Sequence, residues 1–199
     1  MRLKPSAILF DMDGVLIDSL NLWWHSLNSA LKAFNHKGVS KRDFASKYWG
    51  HELGENLRKV GLSLEIGKFC NAIYSKHIDE LRVYPDTLDT LQKLNGYKKA
   101  IVTNTPKDCA QRIEQKLDLE KYFDAIITGD HVTKGKPSPE IIFKACEKLR
   151  VEPEDAILVG DTESDVKAGR AAGCTVVGIN TEADFKIGKI SELDQILEI

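Results

Sequence analysis

Four short stretches of the chain place acids, hydroxyls or a lysine just after an apolar run. In Asp11-Met12-Asp13-Gly14-Val15-Leu16-Ile17-Asp18-Ser19, two carboxylates follow the apolar Ala7–Phe10, and a glycine then frees the chain to turn. Carboxylates so spaced can hold a hard cation through oxygen, or divide the work of nucleophile and acid/base. Taken alone, the pattern equally suits a solvated turn at the end of a strand. It is not a helix–loop–helix calcium loop, because Leu22 stands where that loop needs a glutamate. In Thr103-Asn104-Thr105-Pro106, hydroxyl and amide groups precede a proline-started helix. Such a helix start suits a phosphate oxygen, or a simple cap by Thr105. In Lys134-Gly135-Lys136-Pro137-Ser138-Pro139, a lysine precedes another proline-started helix. That lysine can neutralise a phosphate together with a carboxylate nucleophile. The stretch is not a Walker A loop, since Pro137 stands in place of its hydroxyl residue. In Gly160-Asp161-Thr162-Glu163-Ser164-Asp165, Asp161 can complete an oxygen-rich cation site, and Glu163 and Asp165 suit a first helical turn.

These groups need elements that bring them together. Five apolar runs read as buried strands: Ala7–Phe10, Ala100–Thr103, Ala125–Thr128, Ala156–Gly160 and Thr175–Ile179. Helical patterns at Pro106–Leu117, Pro139–Leu149 and Ser164–Ala172 alternate with the last four. That alternation predicts a doubly wound α/β parallel sheet with right-handed crossovers. Each polar cluster then lies at the C-terminal end of its strand, on the one sheet edge where such folds bind ligands. The long segment between the first two strands is too long for one crossover. Leu20, Trp24, Leu27, Leu31 and Phe34 form one apolar stripe, and Ile66, Cys70, Ile73, His77 and Leu81 a second. We expect a helical insert over residues 17–83, ended by Pro85-Asp86, with Asp86 or Thr87 capping a return helix Thr87–Leu94. Residues 1–16 and 84–199 then form the core, and the insert leaves from the functional edge as a lid. Trp24 falls on the apolar stripe and suits the core of the insert. Trp23 and the turn Tyr48-Trp49-Gly50-His51 suit either packing or substrate contact.

Composition narrows the classes of function. The 199 residues carry 42% hydrophobic and 29% charged side chains, enough apolar surface for a folded domain with an insertion. The net charge of −2 gives no global attraction for nucleic acid or anionic lipid. No apolar run approaches the ~20 residues of a membrane span, and Asp11 and Asp13 interrupt the first run too soon for a signal peptide. Cys70, Cys109, Cys146 and Cys174 are widely separated, which suits reduced thiols in a cytoplasmic protein.

Taken jointly and in order, the four clusters resemble the motifs of the haloacid dehalogenase-like (HAD) hydrolases. The resemblance spans the chain and implies a Rossmann-like core with a helical cap. It implies that Asp11 is the nucleophile and Asp13 the general acid/base. It further implies Mg²⁺ held by Asp11, the backbone carbonyl of Asp13 and Asp161. Thr103 and Asn104 would bind the phosphoryl group, Lys136 would bridge phosphate and nucleophile, and Asp165 would support the metal's waters or the lysine. Asp13 counts against the family's dehalogenases, which lack that acid. The Gly14-Val15-Leu16-Ile17-Asp18-Ser19 extension is similar to the subgroup with phosphoglycolate phosphatase and β-phosphoglucomutase. The expectation is a Mg²⁺-dependent phosphatase for a small phosphorylated metabolite, acting through an aspartyl-phosphate, as a monomer or homodimer. A phosphosugar mutase and a non-catalytic binding module are the alternatives.

Overall fold

The computed structural model describes residues 2–198. Six parallel strands form one sheet in the order β3-β2-β1-β4-β5-β6. They are β1 (Ala7–Phe10), β2 (Lys98–Thr103), β3 (Ala125–Thr128), β4 (Ala156–Gly160), β5 (Thr175–Ile179) and β6 (Phe185–Ile187). Five are the expected strands. The edge strand β6 was not expected, because its three residues include Lys186 and a partly exposed Phe185. β2 starts two residues early, because Lys99 is buried and its ammonium donates to the carbonyls of Leu94 (2.8 Å) and Tyr97 (3.1 Å).

Side chains alternate across the sheet with period two. Ile8, Phe10, Ile101, Ile157 and Val159 face one layer. Ala7, Leu9, Ala100, Val102 and Leu158 face the other. The nine α-helices among the described residues are α1 (Leu20–Ala33), α2 (Lys41–Lys47), α3 (Leu53–Lys59), α4 (Leu64–Lys76), α5 (Thr87–Lys93), α6 (Lys107–Leu117), α7 (Glu140–Leu149), α8 (Glu163–Ala172) and α9 (Leu193–Ile196). Leu91 of α5 and Ile113 of α6 cover the first face, while Ile142 of α7 and Ala168 of α8 cover the second. Both faces of β1 are therefore dry, which explains its unbroken apolar run.

Helices α1–α4 fill the long segment between β1 and β2 and share an apolar cluster of their own, built from Leu27, Leu31, Phe44, Leu57, Ile66 and Cys70. Two chain crossings join them to the sheet, where Asp18 N–H donates to the Arg82 carbonyl (3.1 Å) and Tyr84 N–H to that of Leu16 (3.1 Å). The second stripe needs correction. α4 stops at Lys76, His77 is exposed, and Tyr74 and Ile78 take the buried positions. The first stripe ends a turn early, with Phe34 outside α1 and partly exposed. Neither proposed cap of α5 forms. The Asp86 carboxylate accepts from Ser191 N–H (3.2 Å), and the Thr87 hydroxyl donates to the Leu16 carbonyl (3.1 Å).

Helix α8 packs tightly on the sheet at Gly169. A Cβ there would lie 2.6 Å from Val176 Cγ2 and 3.0 Å from Leu158 Cδ2. Gly169→Val should therefore overpack the α8 layer and cost about 1–3 kcal/mol. Each kcal/mol lowers the thermal midpoint by roughly 2–4 °C in a chain of this size. An unchanged midpoint in calorimetry would mean that α8 can lift off the sheet without loss.

Candidate active site

The strand order reverses between β1 and β4, and the ends of these neighbours deliver the first and fourth polar clusters side by side. Asp11 N–H still donates to the Val159 carbonyl (2.9 Å), so its position is set by the last rung of the sheet. Its carboxylate Oδ1 accepts from Met12 N–H at 2.7 Å. The chain then reverses at Gly14, whose φ of +82° places it in the left-handed region. A Cβ on Gly14 would lie 2.2 Å from Asp161 Oδ2, so only glycine lets the two loops meet.

Lys136 is fully buried, and its ammonium bridges Asp11 Oδ1 (2.8 Å) and Asp165 Oδ1 (2.7 Å). Lys134 is exposed. Asn104 holds the lysine loop in place. Its Oδ1 accepts from Lys136 N–H (2.8 Å), and its Nδ2 donates to the Lys136 carbonyl (2.9 Å). Gly135 makes room for this clasp, since a Cβ there would meet Asn104 Oδ1 at 2.4 Å. The second oxygen of Asp165 caps α8, accepting from Thr162 N–H (3.0 Å) and the Thr162 hydroxyl (2.5 Å). Asp165 thus faces the lysine.

Carboxylate oxygens of Asp11, Asp161 and Asp165 lie within 4.8 Å of one another. Three acids against one lysine leave two formal negative charges in a buried space. Burial pushes the Asp11 carboxyl well above the usual range, against the pull of Lys136 and with the repulsion of Asp165 and Asp161. Burial and then Asp165 push Asp161 up to about 7. For Lys136, burial works against the charge, but Asp11 and Asp165 outweigh it and hold the ammonium above the ordinary lysine range. Asp161 Oδ1 is buried with no hydrogen-bond partner. An unpaired carboxylate oxygen within an excess of negative charge fits a divalent cation, which takes oxygen ligands.

Asp13 turns away from this cluster. Its Oδ1 accepts from the Ser19 hydroxyl (2.5 Å), Trp23 Nε1 (3.0 Å) and the Tyr74 hydroxyl (3.4 Å). Its Oδ2 accepts from the Thr105 hydroxyl (2.6 Å) and, at 3.5 Å, from that of Thr103. Trp23 stacks on Tyr74 with ring centroids 3.7 Å apart. Burial, and then the charge of Asp13, raise the Tyr74 phenol well above its ordinary value. Trp24 packs within the helical cluster and donates to the Val39 carbonyl (2.9 Å). Trp49 reaches the core and donates from Nε1 to Asp161 Oδ2 (2.8 Å).

The structure thus brings together Asp11, Asp13, Thr103, Asn104, Lys136, Asp161 and Asp165. Sequence reasoning missed the roles of Ser19, Tyr74 and Thr105 around Asp13. Thr105 looked like a helix cap, but its hydroxyl is turned to the carboxylate. Tyr74 lay one position off the expected stripe. A cavity of about 520 Å³ opens between the sheet edge and the insert. Asp11, Asp13 and Lys136 line its floor, while Leu27, Phe44 and Leu53 line its roof.

The profile of the haloacid dehalogenase-like hydrolases matches residues 8–179, and the chain belongs to that family of enzymes. A phosphoglycolate phosphatase of Aquifex aeolicus (strain VF5) is 34% identical over 207 aligned residues, covering 96% of each chain. The pyrophosphatase PpaX of Bacillus mycoides (strain KBAB4) is 30% identical over 213, covering 98% of each. The crystal structure of CbbY from Rhodobacter sphaeroides in complex with phosphate superposes with a TM-score of 0.84 at 21% identity, covering 96% of each chain. At that identity the likeness is one of fold. No helix among the described residues is long and apolar enough to cross a membrane.

The ion triad makes a prediction independent of any reaction. Lys136→Met leaves Asp11 and Asp165 buried without their cation and should cost about 3–5 kcal/mol. Urea denaturation measures this directly. A wild-type midpoint would mean that the two carboxylates are neutral or solvated in the native protein.

Proposed function

We propose that the protein is a Mg²⁺-dependent phosphatase that hydrolyses a small phosphate monoester through an aspartyl-phosphate on Asp11. The observation that carries this reading is the buried Lys136 bridging Asp11 and Asp165, beside the unpaired Oδ1 of Asp161. A carboxylate at the floor of a cavity, next to a fixed cation, can attack a phosphorus atom whose own negative charge would otherwise repel it. Catalysis of this kind is mostly positioning and charge neutralisation.

In the first half-reaction a carboxylate oxygen of Asp11 forms a bond to phosphorus while the ester P–O bond breaks. The leaving oxygen takes a proton from Asp13. In the second half-reaction water attacks the phosphorus of the acyl phosphate and gives its proton to Asp13, releasing inorganic phosphate and restoring Asp11. The hydroxyls of Ser19, Thr105 and Tyr74 can donate to a carboxylate or accept from a carboxylic acid, so one cradle serves Asp13 in both states. The indole of Trp23 donates only. Lys136 balances charge on Asp11 and on the transferred group. Thr103 ends β2 and the Asn104 backbone follows it, in the loop that leads into α6, where phosphoryl oxygens would find N–H and hydroxyl donors. Asp11, the Asp13 carbonyl and Asp161 would hold Mg²⁺. When bound, it supplies positive charge to the phosphoryl oxygens as they become more negative.

The insert, taken as a cap over residues 17–83, closes the cavity and reads the leaving group. Relatives of similar identity carry the names of a phosphoglycolate and of a pyrophosphate hydrolase. The two-carbon acid is our first substrate. The four cysteines are free and buried, in keeping with a cytoplasmic protein.

Phosphate release from phosphoglycolate, pyrophosphate, sugar phosphates and an aryl phosphate tests the reading. Turnover should vanish with EDTA and return with Mg²⁺, and Asp11→Asn should abolish it in a folded protein. Substantial activity in that variant would remove Asp11 as nucleophile. Asp13→Ala should slow turnover by about 10²–10⁴. A rate near wild type would show that another group moves the proton.

A further inference from the structure

We propose that Trp49 is a positioning residue for the cation, tying closure of the helical insert to cation affinity at Asp161. The proposal rests on the metal reading above and concerns a side chain that touches neither phosphorus nor the reacting oxygens.

Trp49 lies in the turn between α2 and α3, and three successive residues of that turn dock onto the core. Trp49 Nε1 donates to Asp161 Oδ2 at 2.8 Å. The Gly50 carbonyl accepts from Asn104 Nδ2 at 3.2 Å. His51 Nδ1 lies 3.3 Å from the Ser164 hydroxyl. The fit at Gly50 is close, for its φ is +75° and a Cβ would lie 2.5 Å from Thr162 Cγ2. The turn therefore grips the loops of the second and fourth polar clusters at once.

An indole N–H is a donor only and cannot ligate a metal. Its position on one oxygen of Asp161 has a different consequence. Oδ2 is held between the Trp49 indole and Gly14, which fixes the plane of the carboxylate. Oδ1 is left buried and unpaired, the state of a ligand oxygen awaiting a cation. Groups that orient a ligand from outside its coordination shell commonly contribute 10–100-fold in metal affinity. Here that group belongs to the insert. Lifting the turn would free the carboxylate to rotate and weaken cation binding. By linkage, a bound cation must favour the docked turn by the same factor.

The test uses the whole chain without substrate, with Mg²⁺ as the probe. Calorimetric titration gives its dissociation constant. Tryptophan emission follows the turn, with the signal of Trp49 taken as the difference between wild type and Trp49→Phe. The phenylalanine keeps a ring against Phe44, its neighbour at 6.2 Å, and removes the donor at the cost of a smaller ring. Trp49→Phe should bind Mg²⁺ about 10–100-fold more weakly, with an unchanged thermal midpoint in EDTA. Trp24→Phe, whose indole bonds to Val39, should bind as wild type does. Gly50→Ala, which pushes the turn off Thr162, should weaken binding in the same direction as Trp49→Phe. The Trp49 emission should titrate with the calorimetric constant. If Asp161→Asn loses Mg²⁺ while Trp49→Phe and Gly50→Ala keep wild-type affinity, the proposal is wrong and the phosphatase reading stands. If Asp161→Asn also keeps wild-type affinity, the cation lies elsewhere and both fall.

Discussion

A buried lysine between two buried carboxylates is the arrangement on which the rest depends. Lys136, Asp11 and Asp165 come from three separate segments, two loops and the first turn of α8, and none can tolerate its position without the others. Desolvating an ion costs several kcal/mol, and mutual attraction offsets that only with good geometry and full hydrogen bonding. The fold supplies both. β1 places Asp11 by a backbone hydrogen bond to its neighbour strand, the start of α8 places Asp165, and the Asn104 amide clasps the lysine backbone. The glycines at 14 and 135 follow from the same demand, because a side chain at either would collide with a polar group of the site.

This demand explains why so much of the fold was legible in the sequence. Ala7–Phe10 and Ala156–Gly160 are apolar throughout because both sheet faces are covered, and their polar successors stand out against them. A motif that must sit at a strand end is easiest to read when the strand is central. β6 lacks that contrast, with one covered face and a lysine in its middle residue. Lys98 and Lys99 hid the start of β2 for a related reason. The ammonium of Lys99 is buried by backbone carbonyls, and no hydropathy pattern shows that a charge can be satisfied this way.

The insert was legible in outline but not in its contacts. Tyr74 is fully buried because its ring lies on Trp23 while its hydroxyl reaches Asp13. A stripe drawn by helical spacing alone passed it by and selected Ile73 and His77. Thr105 and Ser19 belong to motifs, but a hydroxyl that follows a strand reads equally as a cap or as a site group. Only the pairing of distant segments distinguishes these roles. Trp49 and Asp161 are 112 positions apart.

Those pairings give the insert a part in the chemistry as well as in enclosure. Asp13 receives Trp23 from α1 and Tyr74 from α4, and Asp161 receives Trp49 from the turn after α2. Each of these acids rests on the core yet is oriented from the insert. Opening the cavity to admit a substrate would loosen at least some of these bonds. On the proposed mechanism, an open state would be less well organised for proton transfer than the closed one, and closure would complete the catalytic geometry. Such coupling would restrict the proposed reaction to a cavity from which bulk water has been displaced. An acyl phosphate on Asp11 would be exposed to water only as the closed site permits. A leaving group that fails to let the insert seat would forfeit both aligned acids. Specificity could therefore arise from shape at the apolar roof of Leu27, Phe44 and Leu53, without any polar contact to the discriminating part of the substrate.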